Sequence, residues 1–258
     1  MPRAVTLVAR PHCEDGMRKN LRRISHLLAG SRRLRRQAKA FTNFAQILQI
    51  RSIFEKYCID LLLDVGANAG QFAGEMRAFY KGEILSFEPV SSAFADLKQA
   101  ASGDPGWKCY PWALGSSTAT RTIHVVRSSQ LSSFLPLNAN CAEHFGQGAA
   151  EVGQEQVLIR RLDDALEEVA PSWQGRSIFL KLDTQGFDLE VFRGLGEQGR
   201  HIRALQSEVS VIPIYEEMLH WTESVTLYEQ EGFQLAGMFP VELDALQVME
   251  FDCLMIRP

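Results

Sequence analysis

The sequence predicts an α/β fold: an open, doubly wound and mostly parallel sheet, preceded by a helical extension. Three observations predict it. From residue 59 onward, short apolar runs alternate with helical stretches, which is the pattern of parallel strands joined by right-handed crossovers. The first apolar run leads into a loop with glycines at positions 66 and 70. Near the C-terminus, two apolar runs separated by a turn predict a closing hairpin, which makes the last strand antiparallel.

A basic helical extension is expected over residues 1–56, followed by the main domain over residues 57–258. Charge separates the two pieces. The first 60 residues contain 13 Lys or Arg against 4 Asp or Glu, whereas the remainder contains 14 against 27. Two electrostatically different segments therefore meet near residue 60.

The extension is expected to form two helices, separated near Gly30, which can end one helix, and Ser31, which can cap the next. On the second helix, residues that recur every three or four positions predict a face that packs on the main domain. This stripe comprises Leu34, Ala38, Phe41, Ala45, Leu48 and Ser52, and the opposite face carries Arg32, Arg33, Arg36 and Lys39. The basic face is either a solvated surface or a dock for an anionic substrate, a carrier protein, a nucleic acid or a membrane. The amphipathic helices are also the expected surface for a homodimer.

Composition argues against several classes of protein. No apolar run approaches the roughly 18 residues of a membrane span, and the N-terminus lacks the features of a secretory signal, so a cytoplasmic location is expected. The five cysteines form no CxxC pair, which argues against a disulfide framework and a zinc site. The six histidines show no ligand spacing, so no metal is expected.

The main domain is expected to contain strands and helices in alternation. Strands are predicted near 59–65, 83–88, 108–113, 178–183 and 204–210, and helices near 70–80, 91–101, 162–169, 187–195 and 221–231. Residues 115–161 interrupt this alternation: both ends read as strands, but the middle is rich in Ser, Asn and Gly. Because long loops in compact domains usually have a function, this segment is predicted to be a lid and specificity insertion.

The first strand ends in DVGANAG, a loop suited to close approach of a ligand, since ligands of open α/β sheets bind beyond the carboxyl ends of the strands. Gly66 and Gly70 allow positive φ, and Asn68 tolerates unusual backbone angles. The loop is neither GxGxxG nor a P-loop, which weakens a dinucleotide or nucleoside triphosphate assignment. Asp64, just before the glycines, would repel a pyrophosphate but attract a cation. S-adenosylmethionine carries two cationic groups, a sulfonium and an ammonium.

Glu88 ends the second strand, 24 residues after Asp64. This is close to the spacing at which an acidic residue meets the ribose in nucleotide-binding α/β folds. A carboxylate can bind both ribose hydroxyls, and Pro89 then stops the strand. The alternative is a glycine turn and an unrelated surface glutamate.

Together with further motifs, these residues resemble the FkbM-type S-adenosylmethionine-dependent methyltransferases, within the class I methyltransferases. The resemblance rests on DVGANAGQF (64–72), FEPV (87–90), WALG (112–115), LSSFL (131–135), RRLDD (160–164), FLKLDTQGFDLEVFRG (179–194) and SEVS followed by Tyr215. These motifs occur in the right order over residues 57–256. DVGAN alone is moderately specific, but joined to KLDTQGFDLEVFRG it is a strong signal.

The resemblance implies a seven-stranded sheet whose last strand is antiparallel. It also implies the cofactor contacts: Asp64, Gly66, Asn68 and Gly70 at the methionine part, Glu88 with Pro89 beside it at the ribose, and Ala113 and Leu114 against the adenine. The family is associated with O-methylation of hydroxyls in natural products and glycans. Residues 1–56 lie outside the match, so nothing about their role carries over.

Methyl transfer requires alignment of the acceptor, and a hydroxyl acceptor must also lose a proton to a base. Asp183 and Glu208 end two neighbouring strands and are the predicted catalytic carboxylates; if they lie close together, repulsion raises one pKa and makes a better base. Lys181 points to the same side as Asp183 and is predicted to moderate this effect or to hold a substrate oxygen. Alternatively, Asp183 caps the following helix and Lys181 only pairs with it.

Four further residues are predicted to bind the acceptor. They are Ser133 and His144 in the long insertion, Gln185 after Asp183, and Tyr215 after the SEVS strand. The histidine is a weak candidate, since a lone histidine in a loop is usually solvated.

The predicted function is transfer of a methyl group from S-adenosylmethionine to a hydroxyl of a small molecule or glycan, either neutral, anionic or linked to a carrier, with S-adenosylhomocysteine as product. One alternative is a noncatalytic S-adenosylmethionine-binding module that recruits a partner through its basic arm. Another is an NAD-linked oxidoreductase, which would require GxGxxG. Proteins that bind single-stranded nucleic acid interleave aromatic with basic residues. RNA is a weak candidate here because Phe41 and Phe44 are expected to be buried with the apolar stripe. Carboxylate and amine acceptors remain open.

Overall fold

The computed structural model describes Gln37, residues 39–243 and residues 247–258. The chain divides into two compact units, Met1–Phe44 and Ala45–Pro258. The first predicted helix and most of the predicted basic face lie outside the described residues.

The described residues form ten strands in two sheets. They are β1 (Leu61–Val65), β2 (Glu83–Phe87), β3 (Trp107–Tyr110), β4 (Ala113–Gly115), β5 (Ala119–Val126), β6 (Glu151–Arg161), β7 (Ile178–Leu182), β8 (Ile202–Ser210), β9 (Gln234–Leu243) and β10 (Val248–Ile256). Seven of them form a central sheet in the order β3-β2-β1-β7-β8-β10-β9. The last strand, β10, runs antiparallel to both of its neighbours, which confirms the predicted closing hairpin.

Helices cover both faces of this sheet, which confirms the doubly wound prediction. They are α1 (residues 39–57), α2 (Gln71–Met76), α3 (Ser91–Ala100), α4 (Ala139–Phe145), α5 (Leu162–Val169), α6 (Asp188–Arg193) and α7 (Trp221–Gln230), with short 3-10 turns at Ser129–Leu131, Gly146–Ala149, Trp173–Gly175 and Gly196–His201. Residues of α1, α2 and α3 pack with Leu62 on one face, and residues of α5, α6 and α7 pack with Leu63 on the other. None of the helices described here has both the length and the apolar character that a membrane crossing requires.

Strand β1 lies at the centre of the sheet and explains the position of the glycine loop. All five of its residues are buried, as expected for a strand covered on both faces. It pairs with β2 on one side and with β7 on the other, so the chain reverses its direction of travel across the sheet at β1. The carboxyl ends of β1 and β7 therefore form the crevice in which such sheets bind ligands.

The strand predicted at 108–113 is two strands in two sheets. Strand β3 pairs with β2 in the central sheet, whereas β4 pairs with β6 in a second, three-stranded sheet ordered β4-β6-β5. Pro111 separates them because it has no N–H group for a ladder of hydrogen bonds. The predicted strands at both ends of the 115–161 insertion are confirmed: β5 and β6 pair antiparallel, and α4 lies between them.

The face of α1 that packs on the sheet is not the predicted one. Ile50, Ile53 and Phe54 are buried, whereas Leu48 is 46% exposed and Ser52 is exposed. Leu34 and Ala38 lie outside the described residues.

The true buried face begins with glutamines, which an apolar periodicity cannot detect. Gln46 Nε2 donates to Asp252 Oδ2 at 2.7 Å, and Gln49 Nε2 donates to the carbonyl of Ala236 at 2.8 Å. The compact second unit consequently begins at Ala45, earlier than the domain boundary predicted after residue 56.

Candidate active site

The loop after β1 packs directly against the end of β7. Gly66, Asn68 and Gly70 have positive φ angles of 74°, 46° and 83°, as their composition predicts. A Cβ atom on Gly66 would lie 1.9 Å from the carbonyl oxygen of Asp183, so only glycine fits at this position. The loop therefore lies in the crevice at which the strand order reverses.

Glu88 borders the loop on the side of β2. Its carboxylate accepts the backbone N–H groups of Asn68 and Val90, each at 2.8 Å, and Pro89 between them has no N–H to contribute. Burial raises the pKa of Glu88 to about 7, although the two backbone donors and the Lys181 ammonium oppose this rise. Each carboxylate oxygen retains a second lone pair, so both remain able to accept a hydrogen bond from a hydroxyl group.

Asp64 lies beneath the loop and is completely buried. Its Oδ2 accepts the Ser86 hydroxyl at 3.1 Å, and its Oδ1 lies 3.3 Å from the Lys181 ammonium nitrogen. No residue that the structure describes donates a hydrogen bond to this Oδ1. Asp64 thus places its negative charge below the loop rather than at the surface of the site, where a direct contact of its side chain with the methionine part was predicted.

Lys181 connects the loop to the predicted catalytic carboxylates. Its ammonium nitrogen lies 3.0 Å from the Gly66 carbonyl oxygen, 3.3 Å from Asp64 Oδ1 and 3.2 Å from Asp183 Oδ2. Burial alone would lower the pKa of Lys181, but the carboxylates of Asp183 and Asp64 outweigh it and raise this pKa above its usual value. Because the Gly66 carbonyl accepts a hydrogen bond from this buried ammonium group and two carboxylates form ion pairs with it, the geometry favours a positioning role over the predicted contact with a substrate oxygen.

A single side chain joins Asp183 and Glu208. Gln185 Nε2 donates to Asp183 Oδ1 at 2.8 Å and to Glu208 Oε2 at 2.7 Å. Burial, together with repulsion from Glu250, Asp183 and Asp252, raises the pKa of Glu208 well above its ordinary value. A carboxylate with a raised pKa is the stronger base once it is ionised.

Gln185 is itself held by two neighbouring segments, the insertion and the segment that follows β8. Its backbone has a positive φ of 53°. Ser133 Oγ donates to its carbonyl oxygen at 2.7 Å, and Tyr215 Oη donates to its Oε1 at 2.8 Å. The same Tyr215 hydroxyl lies 3.0 Å from the Leu131 carbonyl. Ser133, Gln185 and Tyr215, three of the predicted acceptor-binding residues, therefore converge, but all three are buried and act as a frame for the carboxylates.

Asp188 completes the turn that carries Gln185, and sequence reasoning missed it. Its Oδ1 accepts the backbone N–H of Thr184 at 2.7 Å and the Thr184 hydroxyl as well. Its Oδ2 accepts the Ser207 hydroxyl at 2.8 Å. A threonine four residues before an aspartate at a helix start was the available signal, since such side chains often bond to nearby backbone groups.

The insertion also reaches the glycine loop. Asn68 Nδ2 donates to Ser129 Oγ at 3.1 Å, and Asn68 Oδ1 accepts the N–H of Ala69 at 2.9 Å. No pattern in the sequence distinguishes Ser129 from the other serines of this segment, so its contact was not predicted.

Ala113, Leu114 and His144 are placed differently from the prediction. Ala113 and Leu114 are buried in β4 of the second sheet, rather than at the end of the third strand of the central sheet. His144 lies in α4, and its Nε2 is 3.1 Å from Glu242 Oε1 in β9. Among the residues described, it makes no hydrogen bond to another predicted site residue.

Two further acids lie beyond Glu208 on β10, and neither was predicted because that strand reads as an ordinary apolar run. Asp252 lies opposite Glu208 in the backbone register of β10 and β8. Glu250 Oε1 accepts the Ser210 hydroxyl at 2.8 Å. Burial raises the pKa of Glu250 and of Asp252 to about 7 in each case. In the described part of the chain, no three His, Cys, Asp or Glu side chains are arranged to hold a metal ion.

A cavity of about 410 Å³ opens beside Glu208. It lies between the start of α6, the end of β8 and the segment that follows β8. Leu135, Phe187, Val209 and Met218 contribute apolar walls, and serines contribute polar ones. This volume is within the range of about 300 to 1,000 Å³ that small-molecule sites occupy.

The crevice fits S-adenosylmethionine in shape and in chemistry. Gly66 and Gly70 allow the loop to take positive φ angles and to pack closely against Asp183 and Trp107. Glu88 offers a carboxylate with free lone pairs for the two ribose hydroxyls. The carboxylates of Asp64 and Asp183 share the single Lys181 ammonium, so acidic groups outnumber basic ones beside the loop, which suits a sulfonium and an ammonium group.

The strand order with its antiparallel last strand, the glycine loop and the acid at the end of β2 define a class I S-adenosylmethionine-dependent methyltransferase. Residues 64–235 match the Methyltransferase FkbM domain. The chain belongs to the FkbM methyltransferase family, and its cofactor is S-adenosylmethionine.

Two fungal proteins are similar to this chain. A methyltransferase named sdnD from Sordaria araneosa is 30% identical over 185 residues, which cover 57% of this chain and 68% of that protein. Methyltransferase 1 from Beauveria bassiana (strain ARSEF 2860) is 25% identical over 213 residues, which cover 72% of this chain and 80% of that protein. Among solved structures, a SAM dependent methyltransferase from Aquifex aeolicus aligns over 80% of this chain and 88% of its own, with 13% identity and a TM-score of 0.42.

Proposed function

We propose that this chain methylates a hydroxyl group, with Glu208 as the general base that removes the hydroxyl proton. The observation that carries the proposal is the Gln185 bridge, which holds Glu208 and Asp183 together next to the glycine loop. Burial and neighbouring acids raise the pKa of Glu208, as a base for a weakly acidic hydroxyl requires. A noncatalytic binding module would have no need of this arrangement.

The residues divide the work of the reaction between them. The loop at Gly66, Asn68 and Gly70 would hold the methionine part of the cofactor, and Glu88 its ribose. When bound, S-adenosylmethionine supplies an electrophilic methyl carbon on a sulfonium, and the sulfur keeps the electron pair of the broken bond. Glu208 takes the proton from the acceptor oxygen as that oxygen forms its bond to the methyl carbon.

Asp183 and Gln185 position this base rather than replace it. Asp183 Oδ2 lies 3.2 Å from the Lys181 ammonium nitrogen, so this carboxylate is already engaged in an ion pair. Gln185 presents its amide N–H groups to both carboxylates, so that Glu208 keeps one orientation toward the acceptor.

The acceptor is proposed to be a small molecule or a sugar-containing molecule that enters the cavity beside Glu208. The volume of about 410 Å³ supports a compact acceptor over an extended polymer. A homodimer formed through the N-terminal helices stays a prediction, because most of those residues lie outside the described part of the chain.

The test is a pair of glutamine substitutions in the same cavity, assayed with methyl-labelled S-adenosylmethionine and a panel of hydroxylated acceptors. In Glu208→Gln, kcat is expected to fall by roughly 10²- to 10⁴-fold, because the base is lost, while calorimetric affinity for S-adenosylhomocysteine stays unchanged. Glu217→Gln is the matched control, since Glu217 is an exposed carboxylate that lines the same cavity, and its kcat is expected to stay within about twofold. Full activity in Glu208→Gln would show that another group takes the proton.

A further inference from the structure

Arg121, a residue of the insertion, contacts a residue of the turn between β7 and α6. It lies on β5, and its guanidinium carbon lies 5.4 Å from the ring centre of Phe134 and 5.5 Å from that of Phe187. Phe187 belongs to the turn that carries Gln185, and Arg121 and Phe187 both line the cavity beside Glu208. Both distances are within the range of cation–π attraction, which leaves the guanidinium N–H groups available to a ligand.

The guanidinium of Arg121 is not committed elsewhere. Apart from its cation–π contacts with the two rings, it forms no ion pair and no hydrogen bond with any residue in the described ranges. The other arginine of the cavity, Arg193, is paired with Glu190 at 2.5 Å. Glu190 also accepts the Ser116 hydroxyl at 2.6 Å. This hydrogen bond, together with the charges of Arg193 and Arg121, lowers the pKa of Glu190. The Glu190 carboxylate is therefore already bound to Ser116 and Arg193 and forms no ion pair with Arg121.

We propose that the acceptor carries an oxyanion, a carboxylate in the first instance, and that Arg121 binds it; this inference rests on the proposed function. A guanidinium offers paired N–H donors that match a carboxylate or a phosphate in a two-point contact. In a cavity that Glu208 also lines, it would fix the hydroxyl to be methylated relative to the base. Arg121 is thus a residue that determines which acceptor is used.

The rest of the cavity suits such an acceptor. Leu135, Val209 and Met218 provide an apolar surface for the body of the molecule. Of the carboxyl groups in the cavity, Asp188 has a raised pKa because burial disfavours its charge, which limits its repulsion of an anion. Glu208 must be ionised to act as the base, and its charge is the one that Arg121 offsets for an anionic acceptor. Glu190, which is paired with Arg193, and Glu217, which is exposed, also oppose the proposal. Removal of Glu217, which has no ion-pair partner among the described residues, is therefore expected to tighten acceptor binding rather than weaken it.

The first experiment identifies the charge of the acceptor. The protein is incubated with methyl-labelled S-adenosylmethionine and a metabolite extract of the source cells, which has been separated on an anion exchanger into neutral and anionic fractions. Label transferred to compounds of the anionic fraction is the expected result, and label confined to the neutral fraction overturns the proposal while leaving methyl transfer intact. Treatment of the labelled product with a phosphatase then distinguishes the two oxyanions, since only a phosphate monoester becomes neutral.

The second experiment assigns the contact to Arg121. In Arg121→Gln, KM for the labelled acceptor is expected to rise roughly 10- to 100-fold with little change in kcat, because a charged contact made equally in the ground and transition states is lost. Arg121→Lys should restore part of this loss. Arg193→Gln, an arginine of the same cavity that is already paired, serves as control and should change KM by about threefold or less. Equal effects in Arg121→Gln and Arg193→Gln would overturn the assignment.

Failure of the inference and failure of the proposed function give different results. If no fraction is labelled although calorimetry shows S-adenosylhomocysteine binding, the proposed methylation of a hydroxyl fails, and the inference fails with it. If label appears but Arg121→Gln leaves KM unchanged, only the inference fails.

Discussion

At the scale of single residues, the site is organised by Gln185 and Lys181, two side chains whose roles differ from those predicted. Gln185 was expected to bind the acceptor, but it joins the two carboxylates. Lys181 was expected to moderate the catalytic carboxylates or to hold a substrate oxygen. It is buried, donates a hydrogen bond to the Gly66 carbonyl and forms ion pairs with Asp64 and Asp183. The acids themselves, Asp183 and Glu208, lie together as their strand positions predict. The contacts of a side chain depend on residues that are distant in sequence, whereas its position at the end of a strand can be predicted from the local sequence.

Cofactor affinity is expected to depend on pH through Glu88. The pKa of this carboxyl is raised to about 7 in the free protein, chiefly by burial. Ribose hydroxyls donate to the ionised form, so affinity should be full above pH 7 and should fall toward a limiting slope of about tenfold per pH unit below it. Calorimetric titration of wild type with S-adenosylhomocysteine from pH 5.5 to 8.5 measures this dependence.

Glu88→Gln provides the control for that titration. The amide keeps the size of the side chain but cannot ionise, so its affinity should be weaker than that of wild type at pH 8 and nearly independent of pH across the same interval. A wild-type affinity that stays constant from pH 5.5 to 8.5, or a glutamine variant with the same slope, would contradict the assignment of this dependence to Glu88.

At the scale of elements, the turn between β7 and α6 carries the site. It begins with Asp183, contains Gln185 and Gly186 at positive φ, and ends at Asp188, which bonds back to Thr184. The loop after β1 packs against this turn so closely that Gly66 has no room for a side chain. Movement of either segment would therefore change both the cofactor crevice and the proposed base.

Asp188→Asn is expected to loosen this turn. The two carboxylate oxygens of Asp188 accept hydrogen bonds from Thr184 and from Ser207. The amide of asparagine has only one oxygen, so its NH₂ group would face one of these two donors. The free energy of unfolding should fall by about 1 to 3 kcal/mol, and kcat should fall with it because Gln185 is less well held. Urea unfolding and steady-state kinetics measure the two effects.

Ser207→Ala removes one donor and leaves the Thr184 contacts in place, so its effect on kcat should be the smaller one. If kcat falls as much in Ser207→Ala as in Asp188→Asn, the contact of Asp188 with Ser207, and not its contacts with Thr184 in the turn, is the one that matters for activity.

At the scale of the whole molecule, the central sheet needs α1 to close one of its faces. Phe54 of α1 packs edge-on against Tyr80 with ring centres 4.9 Å apart, and it contacts the ring of Phe179 on β7 with ring centres 5.0 Å apart. The helix is thus part of the core of the second unit, although its sequence belongs to the basic extension by charge. Composition divides the chain at residue 60, but packing divides it before Ala45.

Phe54→Ala is expected to destabilise the protein by about 3 to 5 kcal/mol, because it leaves a cavity in an aromatic cluster. Leu48→Ala on the same helix is the matched control, since Leu48 is 46% exposed, and it should stay within about 1 kcal/mol of wild type. Urea unfolding followed by circular dichroism measures both. Similar losses in the two variants would mean that α1 packs through the stripe read from the sequence.

By itself, the sequence determined the alternation of strands and helices, the antiparallel last strand, the loop with Gly66 and Gly70, and the two acids at strand ends. These features are local, because burial periodicity, backbone freedom and chain order are properties of neighbouring residues. It misjudged the buried face of α1 and the strand interrupted by Pro111, and it missed Asp188 and Ser129.

Only the tertiary structure decided three contacts. Gln185 bridges Asp183 and Glu208, the buried Lys181 donates to the Gly66 carbonyl, and Arg121 contacts the rings of Phe134 and Phe187 beside the cavity. Each of these contacts joins groups from different elements within a few ångström. A hydrogen bond or an ion pair forms only where packing brings its partners into line, and packing is decided by the whole core at once.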